Sequence, residues 1–195
     1  MPNLKHSVPN KLVLIGASTG GPGQIEKIID ALPQLFHTSI IIAQHMAVGF
    51  VESFAKRLHE HSQSSLSLAE NNSSLQSGNI YVCTARTRLE KNSSGFFFAQ
   101  EPLLEHSFNP DINLLFASVA PFTHNFELLS VILTGIGSDG VDGCKALGER
   151  GCKCLTQTEE SAIVDGMPSR ARAEVPNIKV QNMDEIIQTI KEFCN

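Results

Sequence analysis

Three times along the chain an apolar run of strand length stops at small or polar residues and gives way to a helical pattern. The runs are "KLVLIGA" (11–17), "TSIIIAQ" (38–44) and "LSVILTG" (129–135). Each is continuous in Val, Ile and Leu rather than alternating, as expected for parallel strands covered on both faces. After the first, "GQIEKIIDAL" puts Ile25, Ile28, Ile29 and Leu32 on one stripe. After the second, "GFVESFAKRL" does the same with Phe50, Val51, Phe54, Ala55 and Leu58. "DGVDGCKALGER" is shorter and diluted by glycine, yet helical in pattern. "KCLTQ" (153–157) reads as a further buried strand. Strand alternating with helix means right-handed βαβ units and a parallel sheet.

The middle of the chain has a different texture. "SLSLAE", "GNIYVCTART" and "GFFFAQEP" are short strand candidates joined by turns such as "NNSS" and "KNSSG". They are expected to form an antiparallel hairpin region. A helix over "NPDINLLFASVAPF" returns the chain to the parallel sheet, and the tail offers a strand, "NIKVQN", and a helix, "MDEIIQTIKEFC". The expected fold is α/β: a mostly parallel, doubly wound sheet with a short antiparallel hairpin region inserted near one edge. One domain is expected over residues 11–195, preceded by a tail over 1–10.

A chain of 195 residues supports one well-buried core. Its formal charge is −5, with Lys and Arg scattered, so no nucleic-acid footprint is visible. The start, "MPNLKHSVPNK", lacks the apolar core of a signal peptide. No apolar run approaches the roughly 18–20 residues of a membrane span, and no membrane insertion is expected. The expected location is the cytoplasm. The five cysteines, Cys83, Cys144, Cys152, Cys154 and Cys194, include no CxxC pair, and "GCKCL" has no matching second pair for zinc. Reduced, buried or half-buried thiols are the expectation.

In open parallel sheets, ligands sit beyond the carboxyl ends of the strands. Those ends here read "GASTGG", "AQHM" and "TGIGSDG", and they carry Ser18, His45 and Asp139. "GASTG" fits G-x-S-x-G, a sharp strand-to-helix turn that displays a serine. The N–H groups that follow lie at a helix start and suit either an oxyanion or a phosphate. A simple helix cap would use the same residues. His45 also reads as a packed side chain, and Asp139 as an N-cap. The match to G-x-G-x-x-G is poor, and no G-K-[ST] follows, so a Walker loop is excluded. A serine nucleophile needs a base, and the base needs an orienting carboxylate. It is the joint occurrence at three strand ends that favours catalysis. The α/β-hydrolase order of serine, acid, histidine would require residues such as Asp111 and His124, which close no parallel strand.

At these residues the chain resembles the catalytic domain of the chemotaxis protein-glutamate methylesterases, the CheB family. The matching stretches are "LIGASTGGPGQIEKIIDALP", "IIIAQHMAVGFVESFAKRL", "SGNIYVCTA", "VILTGIGSDGVDGCKALGERG" and "QTEESAIVDGMPSRA". The resemblance implies a serine hydrolase that demethylates glutamyl methyl esters of chemoreceptors and deamidates receptor glutamines. It implies Ser18 as nucleophile, His45 as base and Asp139 as orienting carboxylate. Thr19 and Gly20 would flank the nucleophile as oxyanion donors, and Met46 and Ile136 would line the site. No metal or organic cofactor is called for. The implied partners are methylated chemoreceptor cytoplasmic helices and, for regulation, a separate protein. Two alternatives stay open on the residues alone. One is a nucleotide-binding α/β enzyme with "GASTGG" as a phosphate cradle. The other is a catalytically silent receptor-docking protein.

The chain departs from the family pattern in places. Ile136 stands where the family has Met, Ala47 follows the His-Met pair in place of Pro, and "NPDIN" stands for Arg-Pro-Ser-Val-Asp. Asn109 and Asn113 thus replace the Arg and Asp. Arg170 and Arg172 could supply positive charge instead, or be solvated surface arginines. Family members commonly carry an N-terminal receiver domain, for which the ten or so residues before the first strand leave no room. The expectation is a stand-alone catalytic domain or a fragment.

Overall fold

The computed structural model describes residues 7–102 and 108–195; residues 1–6 of the expected tail lie outside the described residues. Its centre is a seven-stranded, all-parallel sheet. In chain order the strands are β1 (Lys11–Ala17), β2 (Thr38–Gln44), β3 (Ser65–Ala69), β4 (Asn79–Cys83), β7 (Glu127–Ile132), β8 (Lys153–Gln157) and β9 (Lys179–Gln181). Their spatial order is β3-β4-β2-β1-β7-β8-β9. The chain winds one way from β1 to β2 and later returns to place β7 on β1's other side. That reversal opens a crevice at the carboxyl ends of β1, β2 and β7.

Both faces are covered, which is why the strands read as unbroken apolar runs. Leu12 and Leu14 of β1 face one layer, and Val13 and Ile15 face the other. The second layer holds α1 (Gly21–Ala31), α2 (Val48–His61) and α6 (Met183–Cys194). They contribute Ile25, Ile28 and Ile29, then Val51, Phe54 and Leu58, then Ile186 and Ile190. The first layer holds α3 (Ile112–Val119), α4 (Val141–Gly148) and α5 (Gly166–Glu174). The helix starts carry local signals. Asn182 and Glu185 form a reciprocal capping box on α6, at 3.0 and 2.8 Å. Asp111 caps α3 by accepting from the Leu114 N–H at 2.8 Å.

The antiparallel element is the hairpin of β5 (Arg86–Asn92) and β6 (Gly95–Glu101). It packs Leu89, Phe96 and Phe98 over the first layer, with Phe98 against Tyr81 at 4.8 Å. The expected extent of the hairpin region needs correction. "SLSLA" and "NIYVC" pair in parallel and extend the main sheet at its β2 edge. "GNIYVCTART" is therefore two elements: it breaks at Thr84 and Ala85 and crosses from the sheet to the hairpin. Its apolar core Ile80–Cys83 is wholly buried, which suits an inner strand, whereas β5 alternates buried and half-buried residues. Helix α5 had no counterpart in the sequence reading. It begins at a glycine and carries Pro168 in its first turn, a position helices accept.

The five cysteines are free thiols; Cys83, Cys144 and Cys154 are buried. Burial pushes the Cys83 thiol up to about 12. Among the described residues no group of three His, Cys, Asp or Glu could hold a metal ion. None of the described helices is long and apolar enough to cross a membrane.

Candidate active site

Ser18, His45 and Asp139 meet in the crevice. Ser18 is the first residue after β1, His45 the first after β2, and Asp139 lies in the loop between β7 and α4. Register accounts for the first pair. Ala17 pairs with Gln44, so the next residue on each strand emerges side by side, and the His45 N–H bonds the Ala17 carbonyl at 2.9 Å. His45 Nδ1 lies 3.2 Å from Ser18 Oγ, and its Nε2 lies 2.7 Å from Asp139 Oδ2. With Nε2–H donating to the carboxylate, Nδ1 is left as the acceptor for the serine hydroxyl. The imidazole can take the Ser18 proton, and the buried carboxylate can hold the resulting cation.

Asp139 is only 3% exposed. Its charge is matched by backbone donors from two helix starts. Oδ2 accepts from the Ile112 N–H at 2.8 Å, and Oδ1 from the Asn113 and Gly140 N–H groups, each at 2.9 Å. Ile112 and Asn113 open α3, where the helix dipole favours an anion. Asn113 also accepts the Gly143 N–H through Oδ1 at 2.9 Å and so ties α3 to α4. Asp111, considered as a hydrolase acid on chain order, is the cap of this helix and not a member of the cluster.

The turn after β1 is tight because glycine permits it. Gly20 adopts φ +82° and ψ −9°, and a Cβ there would come within 2.7 Å of Ile163. A Cβ on Gly21 would run into the Gln44 amide oxygen. The N–H groups of Thr19 and Gly20 meet no acceptor among the described residues. Both adjoin Ser18 at the start of α1, so they are available to an anionic oxygen. From the β7 side, Gly135 lies against Ser18; a Cβ there would stand 2.6 Å from the serine Cβ.

The expected lining residues occupy two places. Met46 is half-buried beside His45 and, with Pro22, Phe50, Phe54 and Arg57, borders a cavity of about 300 Å³ between the starts of α1 and α2. Ile136 is 65% exposed next to Gly135. The sequence reading missed Phe108, whose ring stacks on the His45 imidazole at 4.9 Å with 1° between planes. It also missed Gln44 and Thr134, which bond the Ser18–Thr19 turn through its carbonyls. Their signal was a polar residue at the end of an apolar strand. Arg172 forks onto Asp165 at 2.8 and 2.5 Å and donates to the Gln157 carbonyl, while Arg170 pairs with Glu174 on the surface.

The seven-stranded, doubly wound α/β fold brings Ser18, His45 and Asp139 together at its switch point. At the carboxyl end of β2, where a dinucleotide enzyme places an acid for the ribose, the residues are Gln44 and His45. The CheB methylesterase family model matches residues 13–190, and the chain belongs to that family. It is 34% identical over 181 residues to the protein-glutamate methylesterase/protein-glutamine glutaminase 1 of Saccharophagus degradans, covering 92% of this chain and 49% of that protein. It is 37% identical over 166 residues to the protein of the same name from Carboxydothermus hydrogenoformans, covering 83% and 48%. The chain thus spans about half the length of the curated relatives it matches. The crystal structure of the Thermotoga maritima CheB methylesterase catalytic domain superposes with a TM-score of 0.85 at 28% identity, over 95% of this chain and 99% of that one.

Proposed function

We propose that this chain is the catalytic part of a protein-glutamate methylesterase. Its substrates would be glutamyl methyl esters on methylated chemoreceptor cytoplasmic helices. The same site would deamidate receptor glutamines, with ammonia leaving in place of methanol. The observation that carries the reading is the continuous hydrogen-bonded line from Ser18 through His45 to Asp139.

In this mechanism Ser18 Oγ attacks the ester carbonyl as His45 Nδ1 takes its proton. Asp139 holds the ring and stabilises the imidazolium. The negative charge on the carbonyl oxygen falls to the free N–H groups of Thr19 and Gly20. His45 then protonates the departing methoxide, and methanol leaves an acyl-enzyme. A water deprotonated by His45 attacks the acyl carbonyl, and return of the proton to Ser18 frees the glutamate. Each step uses groups of this chain and water alone. Met46, half-buried beside His45, and the exposed Ile136 would meet the substrate's apolar surface.

The test is methanol release from purified methylated receptor. Wild type should release methanol, and Ser18→Ala should not, with an unchanged melting temperature. Retained activity in the variant would sink the assignment. A fluorophosphonate probe should label Ser18 in the wild type; an unreactive serine would mean a protein that only docks.

A further inference from the structure

The four residues Ser18 to Gly21 form a β-turn, closed by the Gly21 N–H bonding the Ser18 carbonyl at 2.9 Å. Gly20, third in the turn, has φ +82° and ψ −9°, the values of a type II turn. A type I turn differs by a flip of the central peptide unit, here the one joining Thr19 to Gly20. In a trans peptide the C=O and N–H point in opposite directions. Whichever group holds the Thr19 carbonyl therefore decides where the Gly20 N–H points.

That group is Thr134. Its hydroxyl donates to the Thr19 carbonyl at 2.9 Å and accepts from the Val164 N–H at 2.8 Å. Its own carbonyl accepts the Ser18 N–H at 2.9 Å, and its N–H donates to Gln157 Oε1 at 2.7 Å. Thr134 is fully buried although Thr19 is exposed, and its hydroxyl also lies 3.3 Å from the Val164 carbonyl, farther than from that of Thr19. The preceding peptide unit is held in the same way from β2. Gln44 Nε2 donates to the Ser18 carbonyl at 2.8 Å and to the His45 carbonyl at 2.9 Å. Drawing the Ser18 carbonyl down turns the Thr19 N–H the other way. Gln44 is 2% exposed, and its Oε1 has no hydrogen-bond partner among the described residues. A buried acceptor without a partner costs stability, so the amide is not there for stability alone.

We propose that Thr134 and Gln44 are positioning residues for the oxyanion site, holding the Thr19 and Gly20 peptides so that both N–H groups face the reacting carbonyl. The proposal rests on Ser18 being the nucleophile. Neither residue touches substrate. They act through the backbone, and Gln44 also ties the nucleophile's peptide to that of the base.

Thr134→Val keeps the side-chain shape and removes the hydroxyl. The assays are p-nitrophenolate release from p-nitrophenyl acetate and methanol release from a γ-methyl-glutamyl peptide. Loss of one oxyanion donor costs about 10²–10³ in kcat, and a donor freed to flip part of the time should cost about 10–100-fold. KM should stay within about twofold, since ground-state binding is untouched. The acid limb of the kcat profile should not move, because the His45–Asp139 pair is intact. Thr134→Ser restores the hydroxyl and should restore kcat. Gln44→Met tests the same claim from β2 and should lose kcat in the same pattern. Wild-type kcat in Thr134→Val, or a loss that Thr134→Ser does not restore, overturns the proposal. If the wild type releases no methanol and resists the fluorophosphonate, the hydrolase reading falls and takes this proposal with it. If the wild type is active and Thr134→Val matches it, only the clamp is wrong.

Discussion

His45 meets Asp139 through Nε2 at 2.7 Å, which leaves Nδ1 as the nitrogen that faces Ser18, 3.2 Å away. The carboxylate that fixes this tautomer is itself fixed by three backbone N–H groups.

Asp139→Asn should therefore lose stability as well as activity. Each carboxylate oxygen accepts a backbone N–H, so either orientation of the amide turns an NH₂ against a donor. Leaving such a buried group unsatisfied costs about 1–3 kcal/mol. For a chain of this length, calorimetry should show a melting temperature lower by about 2–12 °C. Turnover should fall by about 10⁴-fold through the wrong tautomer. A variant with normal stability would contradict the hydrogen-bond geometry.

Ser18→Ala, His45→Ala and their double variant should be strongly non-additive. Groups that act as one unit lose nearly everything with the first removal. Steady-state methanol release should put the double variant within about tenfold of either single one. Multiplying, independent losses would argue against a coupled array.

Phe108→Ala should weaken the base without abolishing it. The stacked ring offers a π face to the imidazolium, and Phe108 is 52% exposed, so the contact is worth about 0.5–1 kcal/mol. Turnover should drop about two- to fivefold, with Phe108→Tyr close to wild type. Equal losses in both variants would show that the ring face is not what matters.

Gly135→Ala should displace Ser18. The added Cβ would stand 2.6 Å from Ser18 Cβ and would also press on Met167 Sδ. Met167 can shift its flexible end, but Ser18 is held by Thr134 and Gln44, so the strain falls on the site. Fluorophosphonate labelling of Ser18 should slow by more than about tenfold, on the scale of an ångström's misplacement. Labelling at the wild-type rate would show that the turn yields freely.

Arg172→Ala should destabilise the support of the turn. The guanidinium forks onto Asp165 and bonds the carbonyl of the fully buried Gln157, with the Arg172 and Asp165 side chains about three-quarters buried. The loss should be about 1–2 kcal/mol, and a double-mutant cycle with Asp165→Asn should recover most of it as coupling. Zero coupling by denaturant melts would make the fork ornamental.

Much of the fold was legible because burial on both faces forces unbroken apolar strands, as in β1 and β2. The misread elements were those whose pattern was short. "SLSLA" alternates and looks like a hairpin strand, yet it is the outermost strand of the parallel sheet, where Ser65 and Ser67 are exposed and Leu66 and Leu68 are half-buried. Helix α5 carries little amphipathic signal, since Met167, Pro168 and Ala171 are its buried residues and charged residues fill much of the rest.

The sequence by itself determined the α/β class and placed Ser18, His45 and Asp139 at the ends of three strand-like runs. These depend on local pattern: apolar runs, glycine-flanked turns and residue type. Tertiary structure alone decided the order of strands, which ring nitrogen of His45 faces the serine, and the anchoring of Asp139 by α3. It also decided the hold of Gln44 and Thr134 on the turn that carries Ser18. Those depend on pairs far apart in the chain, such as Ser18 with Thr134 and Ile112 with Asp139. Hydrogen bonds of that kind have no periodicity to read. They exist only once the sheet has brought its strand ends side by side.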